Sequence, residues 1–534
     1  MTQYDIIISG CGPTGGVLAC LLARRGLSVC VVEKYAEVYP MPRAIVLDWE
    51  VMRALQSCGV AERLYPGTKP HPGTDFLGLD GQIIKLFDPL PPPHDLGWPA
   101  TLTFIQPELE GMLRDRLSEL PEAKLKFGAS VTDFAETAEG VQVTVTHGTG
   151  ETEQITGRYL VGCDGANSVI RTQMGLPLED LEFDEWWVVV DAWQRRETPL
   201  RPKTTQYCWP SRPATYVVGP GDLRRWELKL LPGEAPEDFA DTGKLREVMR
   251  PYVDVDAFEL WRHAAYRFSA RVGAQWSKGR VLLAGDAVHQ TPPFLGQGLC
   301  AGIRDAYNLA WKLAMVVQGE AAPALLETYE QERRPHVGKI IAHAKEFGLI
   351  IGEMDIEKAR IRDAELGAQL KSGKMVTSRQ GFIPDLVSGV ISKADASGLA
   401  GRQMVQPRVL SEDGREVLLD DLVGESFVFL TAGAAPQDWA APEAQRLTAL
   451  GIRRISLDTG AAQLAGVLSL RVAGDTLDRW IARTGCQAVI LRPDRYIFAA
   501  VEGPEALAGR LDELEACLSR VPQGTEARRA RMAQ

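Results

Sequence analysis

Apolar residues in this chain gather in short blocks whose spacing switches between two periods. Tyr4–Ser9 is an apolar run and predicts a buried strand. From Thr14 to Arg25, Val17, Leu18, Leu21 and Leu22 recur at helical spacing and mark one apolar face. Gly26 breaks that helix, and Ser28–Glu33 predicts a second strand. Together they form a β-α-β unit. Val141–Val145 and Tyr159–Cys163 predict further strands. Residues 183–232 are rich in Trp, Val, Tyr and Thr between turn residues, which predicts an antiparallel covering sheet. Val281–Ala284 predicts a return to the first domain. Ile303–Val317 predicts a helix, apolar at Ile303, Ala306, Tyr307, Ala310, Leu313, Ala314 and Val317.

A third block begins near Gly401. Its pattern predicts strand Phe427–Leu430, helix Ala444–Leu450, strand Arg454–Leu457 and helix Thr476–Arg483. Strands Ala488–Leu491 and Tyr496–Ala500 and helix Pro504–Leu518 complete it. The order β-α-β-α-β-β-α is thioredoxin-like, but the loop Thr431–Pro436 lacks the redox cysteines, so a structural or oligomerisation role is expected. Residues 351–400 predict a helical connector, and 523–534 a frayed basic tail.

Composition narrows the class. The 534 residues are 45% hydrophobic and 24% charged, the balance of an ordinary globular protein. No apolar run is long enough to predict a membrane span. The formal charge of −11 disfavours nucleic acid or anionic membrane as main partner. Nine cysteines, with no C-x-x-C pair, fit a reducing cytoplasm better than a disulfide framework. The histidines form no ligand-like pair, so no metal is expected.

Three motifs carry the chemistry. Gly10-Cys-Gly12-Pro-Thr-Gly15 lies between the first strand and helix, and Glu33 ends the next strand. In a dinucleotide fold the first glycine makes the turn, the second admits a pyrophosphate and the third lets helix and strand pack closely. The acid at the second strand end holds ribose hydroxyls. Cys163-Asp164-Gly165-Ala-Asn-Ser168-Val-Ile-Arg171 follows another strand and alone reads as a capped strand-to-helix turn. The segment Val281–Gly298 ends an apolar run at Gly285-Asp286, turns at Pro292-Pro293 and reaches Gly296-Gln297-Gly298 before a helix. Asp286 could merely cap that helix, and His289 could be a satisfied polar residue.

The order of these motifs resembles that of the single-component FAD-dependent aromatic hydroxylases, whose members include phenol and para-hydroxybenzoate hydroxylases. Tyr39-Pro-Met-Pro-Arg43, Phe104-Ile-Gln106-Pro, Ile303–Lys312, Thr328–Arg334 and Leu491–Tyr496 extend the resemblance toward the 3-(3-hydroxyphenyl)propionate hydroxylases. The resemblance runs from about residue 4 to 505 and is weakest over 183–275 and 351–400. It implies an α/β fold: a Rossmann-like FAD-binding domain with an inserted, mainly antiparallel β-sheet substrate domain and a C-terminal thioredoxin-like domain. The expected division is 1–175 plus 276–350 for FAD, and 176–275 with part of 72–104 for substrate. The connector is 351–400, and 401–522 forms the last domain.

The resemblance also implies roles. Gly10, Gly12 and Gly15 would face the FAD pyrophosphate and Glu33 the adenosine ribose. Arg43 and Gln106 would touch the flavin side, and Asp286 would accept a ribityl hydroxyl. Gly296, Gly298 and Leu299 would present backbone N–H groups to the pyrimidine edge. Asp164 belongs to a motif serving FAD and the nicotinamide cofactor, and Arg171 is a candidate phosphate contact. NADH or NADPH would dock on the surface, since no second glycine motif is present. The implied reaction is hydroxylation of a phenol by O2 through a flavin C4a-hydroperoxide, giving a catechol in aromatic hydrocarbon catabolism. Arg43 and Pro292-Pro293 are candidate gating elements, and His289 a candidate proton-relay member. A homodimer is left open.

Tyr207, Trp209, Arg212 and Tyr216 are candidates for the substrate wall, although strand alternation would send some outward. Arg212 could pair with a substrate carboxylate or simply be a surface arginine. Rival readings are a halogenase, whose W-x-W-x-I-P element Trp186-Trp187 and Trp193 do not form, a dehydrogenase of the same fold, and a non-catalytic flavoprotein.

Overall fold

A computed structural model describes residues 3–432, 443–457 and 466–518. The chain begins β1 (Gln3–Ser9), α1 (Pro13–Arg24), β2 (Val29–Glu33), and later adds β3 (Thr152–Gly162). β1 pairs parallel with both β2 and β3. Ile6, Ile7 and Ile8 are buried, as expected of a central parallel strand covered on both faces.

The chain then leaves this sheet for a second one. Its strands are β4 (Leu178–Gln194), β5 (Thr204–Tyr207), β6 (Ala214–Val218), β7 (Leu223–Lys229) and β8 (Phe258–Gly273). They order β8-β4-β7-β6-β5, and Thr74–Leu77 and Ile83–Phe87 extend the β5 edge. All pairs are antiparallel except β5 with Thr74–Leu77, which is parallel. The chain returns as β9 (Val281–Leu283), parallel to β3.

Two long helices follow, α2 (Gly298–Val317) and α3 (Glu327–Gly352). α2 starts five residues before the sequence-predicted Ile303, because Cys300, Ala301 and Gly302 are themselves buried. The predicted helical connector is helical only in its first half. α4 (Ile356–Lys371) is followed by irregular chain with one short turn of helix at Arg379–Phe382. That stretch is held by distant contacts rather than by its own periodicity: Arg379 Nη1 donates to Leu295 O at 2.8 Å, and Gln380 Nε2 to Ala100 O at 2.8 Å.

The last unit contains β10 (Val428–Ala432), β11 (Arg453–Leu457), β12 (Val467–Leu470), β13 (Ala488–Leu491) and β14 (Ile497–Ala500), ordered β12-β11-β10-β13-β14. β10, β11 and β12 are parallel, whereas β13 and β14 run antiparallel to their neighbours. Most of the Thr431–Pro436 loop and the 523–534 tail lie outside the described residues. Among the described residues no helix is long and apolar enough to cross a membrane.

α2 ties the three units together. Every residue from Cys300 to Val317 is buried, including Arg304, Asp305, Asn308 and Lys312. A helix without a solvent face must satisfy its polar groups internally. Lys312 Nζ pairs with Glu332 on α3 at 2.9 Å, and Asn308 Nδ2 donates to the same carboxylate at 2.6 Å. Trp311 Nε1 donates to Asp494 of the last unit at 3.1 Å. Arg492 closes the network, bonding Glu332 at 2.8 Å and Asp494 at 2.6 Å.

Burial alone would raise the Glu332 carboxyl, but Arg492 and Lys312 hold it down to about 2. Its folded pKa is therefore depressed, so the stability it contributes is present above the unfolded carboxyl value of about 4.3 and lost as pH falls toward 2. Arg492→Ala would leave Glu332 and Asp494 short of a buried partner. Removing one member of such a pair costs about 3–5 kcal/mol. Denaturant unfolding at neutral pH should show that loss, and the difference between the two proteins should shrink on acidification.

Candidate functional site

The N-terminal glycine loop divides its work. Gly10 has φ of +101°, and a Cβ there would lie 2.4 Å from Cys163 O. Only glycine tolerates that turn and that approach. A Cβ on Gly15 would lie 2.0 Å from Gly10 O, so this residue packs α1 onto the loop. A Cβ on Gly12 would meet nothing within 4 Å. Of the three glycines expected to face a pyrophosphate, Gly12 alone borders open space, and the other two shape the turn. Glu33 Oε2 accepts from Cys11 N at 2.7 Å and Oε1 from Tyr35 N at 2.9 Å. The carboxylate thus fixes the glycine loop and retains lone pairs for a ribose.

At the far end of the first sheet, β9 leads into Gly285-Asp286. Gly285 N donates to Asp305 Oδ2 at 3.0 Å. His289 Nε2 bonds the same oxygen at 2.7 Å, and Arg333 Nε donates to Asp305 Oδ1 at 2.8 Å. Burial alone would raise the Asp305 carboxyl, yet His289 and Arg333 hold it below its ordinary range. His289 is completely buried within this lock and positions the Gly285 turn, while its Nδ1 makes no hydrogen bond.

Asp286 itself makes no hydrogen bond to a described residue and remains exposed. Protein crowds it on several sides, which raises its carboxyl, while His289 and Arg43 oppose that rise. After the turn, Pro293–Leu295 forms one turn of helix, and Gly296 adopts φ of +67°. α2 then starts at Gly298 with no side-chain cap, leaving the N–H groups of Gly298, Leu299 and Cys300 without helical partners. A Cβ on Gly298 would touch nothing closer than 3.9 Å.

Gln106 is spent on the backbone. Its Oε1 accepts from Arg43 N at 3.1 Å and Ala44 N at 2.6 Å, while Nε2 donates to Glu110 at 2.7 Å. It holds the 42–44 segment in place. The Arg43 side chain is exposed and stands over the Tyr39 ring. Asp164 Oδ2 caps the next helix through Val169 N at 2.8 Å, but Oδ1 is buried without a partner. Arg171 is committed to Ala287 O at 2.7 Å and Ala166 O at 3.0 Å, so it clamps two loops and does not reach out as the expected phosphate contact.

The open edge at Gly12, the orphaned Asp164 Oδ1, the unpaired Asp286 carboxylate and the uncapped α2 suit a long cofactor with an anionic middle and hydroxyl groups. FAD fits that donor and acceptor set.

The second sheet corrects the expected substrate wall. Along β7, Arg225 reaches back to Arg43 O at 2.7 Å, and Arg262 of β8 bonds Pro42 O. That face therefore looks at the first unit. Tyr207 and Tyr216 lie on the opposite face, packed with Trp226, Leu245 and Phe258. They line an open groove of about 350 Å³ on the outside of the sheet. Trp209 stacks on Tyr252 and donates to Gly78 O at 3.1 Å. Arg212 forms a two-point salt bridge with Glu234, at 2.8 and 2.7 Å, which occupies both of its terminal nitrogens. The inward residues are Gln206, Thr215, Val217, Asp191, Arg225 and Glu227, and sequence reasoning missed them. The charged alternation Arg225-Glu227-Lys229 was the available signal.

The description "FAD binding domain" matches residues 3–344. A protein of Rhodococcus jostii (strain RHA1) called "Probable NADH-specific resorcinol 4-hydroxylase" is 34% identical over 527 residues, 97% of this chain and 96% of that one. The chain belongs to the FAD-dependent aromatic hydroxylases. A 3-(3-hydroxy-phenyl)propionate/3-hydroxycinnamic acid hydroxylase of Klebsiella pneumoniae (strain 342) is 32% identical over 533 residues, covering 96% and 94% of the two chains. Residues 401–516 match the description "HcaD C-terminal domain". Among solved structures, the flavin-dependent monooxygenase PieE with FAD and substrate superposes with TM-score 0.81 at 21% identity, over 97% and 99% of the chains. The OxyS anhydrotetracycline hydroxylase of Streptomyces rimosus gives 0.76 at 27%, over 98% and 100%. This hydroxylase is thus an FAD enzyme driven by NADH or NADPH.

Two substitutions separate cofactor contact from loop packing. Gly12→Val should leave apoprotein thermal unfolding unchanged and lower FAD occupancy, whereas Gly15→Val should lower the unfolding temperature itself. Asp286→Ala removes a charged acceptor worth about 1.5–3 kcal/mol. Flavin fluorescence titration should show FAD bound roughly 10- to 150-fold more weakly.

Proposed function

We propose that this hydroxylase uses NADH and O2 to insert one oxygen atom beside the hydroxyl of a small meta-substituted phenol, giving a catechol-type product. The observation that supports this is the covering of the cofactor cleft by a sheet tied to it at several points. Arg225 bonds Arg43 O, and Arg379 bridges Leu295 O and Thr74 Oγ1. Phe294, next to the proline turn, packs on Trp187 with ring centroids 5.1 Å apart. Such a lid suits a reaction that must keep water from an activated oxygen species. The names of the relatives, a resorcinol hydroxylase and a 3-hydroxyphenyl acid hydroxylase, favour a ring with substituents in meta relation. The first also favours NADH.

Gly12, Glu33, Asp286 and the start of α2 would hold FAD, which supplies reduction by NADH and activation of O2 at its C4a position. The residues supply the rest. The α2 N-terminus would stabilise negative charge on the edge of the bound cofactor. Pro292-Pro293 and the 42–44 segment border the ring's chamber, and Arg43 stands exposed beside it as the gating side chain. The domain division set out from the sequence, with a thioredoxin-like last unit, belongs to the same proposal and is supported by the β11-β10-β13-β14 order. A cytoplasmic location is supported by nine free cysteines.

Purified enzyme with FAD should oxidise NADH and consume O2 faster with resorcinol than without. Mass spectrometry should find a product carrying one added oxygen, derived from labelled O2. Stimulated NADH oxidation that yields only hydrogen peroxide would refute hydroxylation of that phenol.

A further inference from the structure

One line of residues crosses the cofactor-facing side of the second sheet. Gln206 on β5 stands opposite Thr215 on β6, Thr215 opposite Glu227 on β7, and Glu227 opposite Val189 on β4. Residues directly opposite one another share a face. This face is the inward one, because Arg225, two residues before Glu227, bonds Arg43 O. Two residues after it, Lys229 stands opposite Trp187, on which Phe294 packs. Glu227 therefore sits between the two places where the sheet touches the first unit. Along the strand, the 42–43 segment lies toward Arg225 and the proline turn toward Lys229.

Two polar groups in this line make no hydrogen bond. Thr215 Oγ1 donates to Gln206 Oε1 at 2.5 Å, but Gln206 Nε2 has no partner among the described residues. The Glu227 carboxylate makes no hydrogen bond, and its nearest cation, Arg225 Nη1, is 3.9 Å away. Glu227 is 6% exposed and Gln206 3%. Arg225 is already engaged by Asp191 at 2.7 Å, as is Arg262 at 3.1 Å. A carboxylate that makes no hydrogen bond and an amide N–H2 that makes none, on two nearly buried residues of the face turned toward the first unit, suit a ligand with oxygen substituents.

We propose that Glu227 accepts the proton of the substrate's phenolic hydroxyl, with Thr215 and Gln206 beside it receiving the ring's oxygen substituents. The proposal rests on the phenol-hydroxylase reading above and names its base. The phenolic O–H bond breaks, the proton passes to a Glu227 oxygen and the electron pair stays on the phenolate. That pair enriches the ortho and para carbons, where the incoming oxygen bonds, and the proton passes to solvent as product leaves. The protonation state suits the task. Burial raises the Glu227 carboxyl and Asp191 adds to the rise, against Arg225 and Arg262, to about 7. Lys229, the next charge along the face, is paired with Glu185 at 2.6 Å. A base titrating near neutrality is matched to proton removal from a phenol.

The test is Glu227→Gln with FAD bound, resorcinol as probe, and product formation followed from below to above pH 7. Wild-type turnover should rise with pH through about 7 as Glu227 ionises. The variant should retain its flavin spectrum, lose kcat on the order of 10²–10⁴-fold, and lose that rise. Glu227→Asp should recover part of kcat together with the rise. A Gln variant that keeps kcat, or loses it while its residual rate still rises through the same pH range, overturns the proposal. Wild-type enzyme that forms no product from resorcinol or from 3-(3-hydroxyphenyl)propionate would instead overturn the phenol-hydroxylase reading, and this assignment with it.

Discussion

A helix with no solvent face that nevertheless carries charged residues is the constraint on which this molecule depends. Each polar group on α2 must find a partner in a different part of the chain, and each partner fixes a different unit. Arg304 takes Asp48 and Glu50, at 2.5 and 2.8 Å, and so sets the start of the helix at Trp49–Cys58. Asp305 takes Gly285 N, His289 and Arg333, and so fixes the turn that presents Asp286. Asn308, Trp311 and Lys312 take Glu332 and Asp494, and so dock α3 and the last unit. Replacing such groups by apolar ones need not cost stability, but breaking one partner from another does. The arrangement specifies geometry: these partners fix where the N-terminus of α2 lies relative to the Gly285-Asp286 turn.

The cofactor half of the site was legible in the sequence because its requirements are local. A turn needing positive φ, a close backbone approach and a strand-end carboxylate are all written within a few residues, as at Gly10, Gly15 and Glu33. Asp286 and the glycines before α2 follow the same logic. The substrate half was not legible. β6 and β7 are buried on both faces, so alternation shows that two faces exist without showing which is which. Tyr207 and Tyr216 looked like a substrate wall for their aromatic rings, and they fill the outer face. Gln206, Thr215 and Glu227 carry no motif that singles them out, and they face inward.

Long-range partners explain the remaining misreadings. Nothing near Arg212 announces that Glu234, in the turn beyond the next two strands, will bind it at two points. Nothing in the irregular chain after α4 announces that Arg379 will bridge the sheet and the proline turn. His289 was weighed as a satisfied polar residue or a relay member, and its partner is Asp305, on a helix not yet begun at that point of the chain. In each case the deciding atom lies on another element, and neither spacing nor composition carries it.

The staple across the cleft has a different kind of consequence. Arg225 and Arg262 hold the 42–43 segment by its carbonyl oxygens, which any amino acid supplies. Gln106 holds it by its amide hydrogens. The path of that segment is therefore indifferent to the side chains it carries. Substitutions there can alter the lining of the chamber while the lid stays in register, so substrate range can drift in small steps without a foldless intermediate.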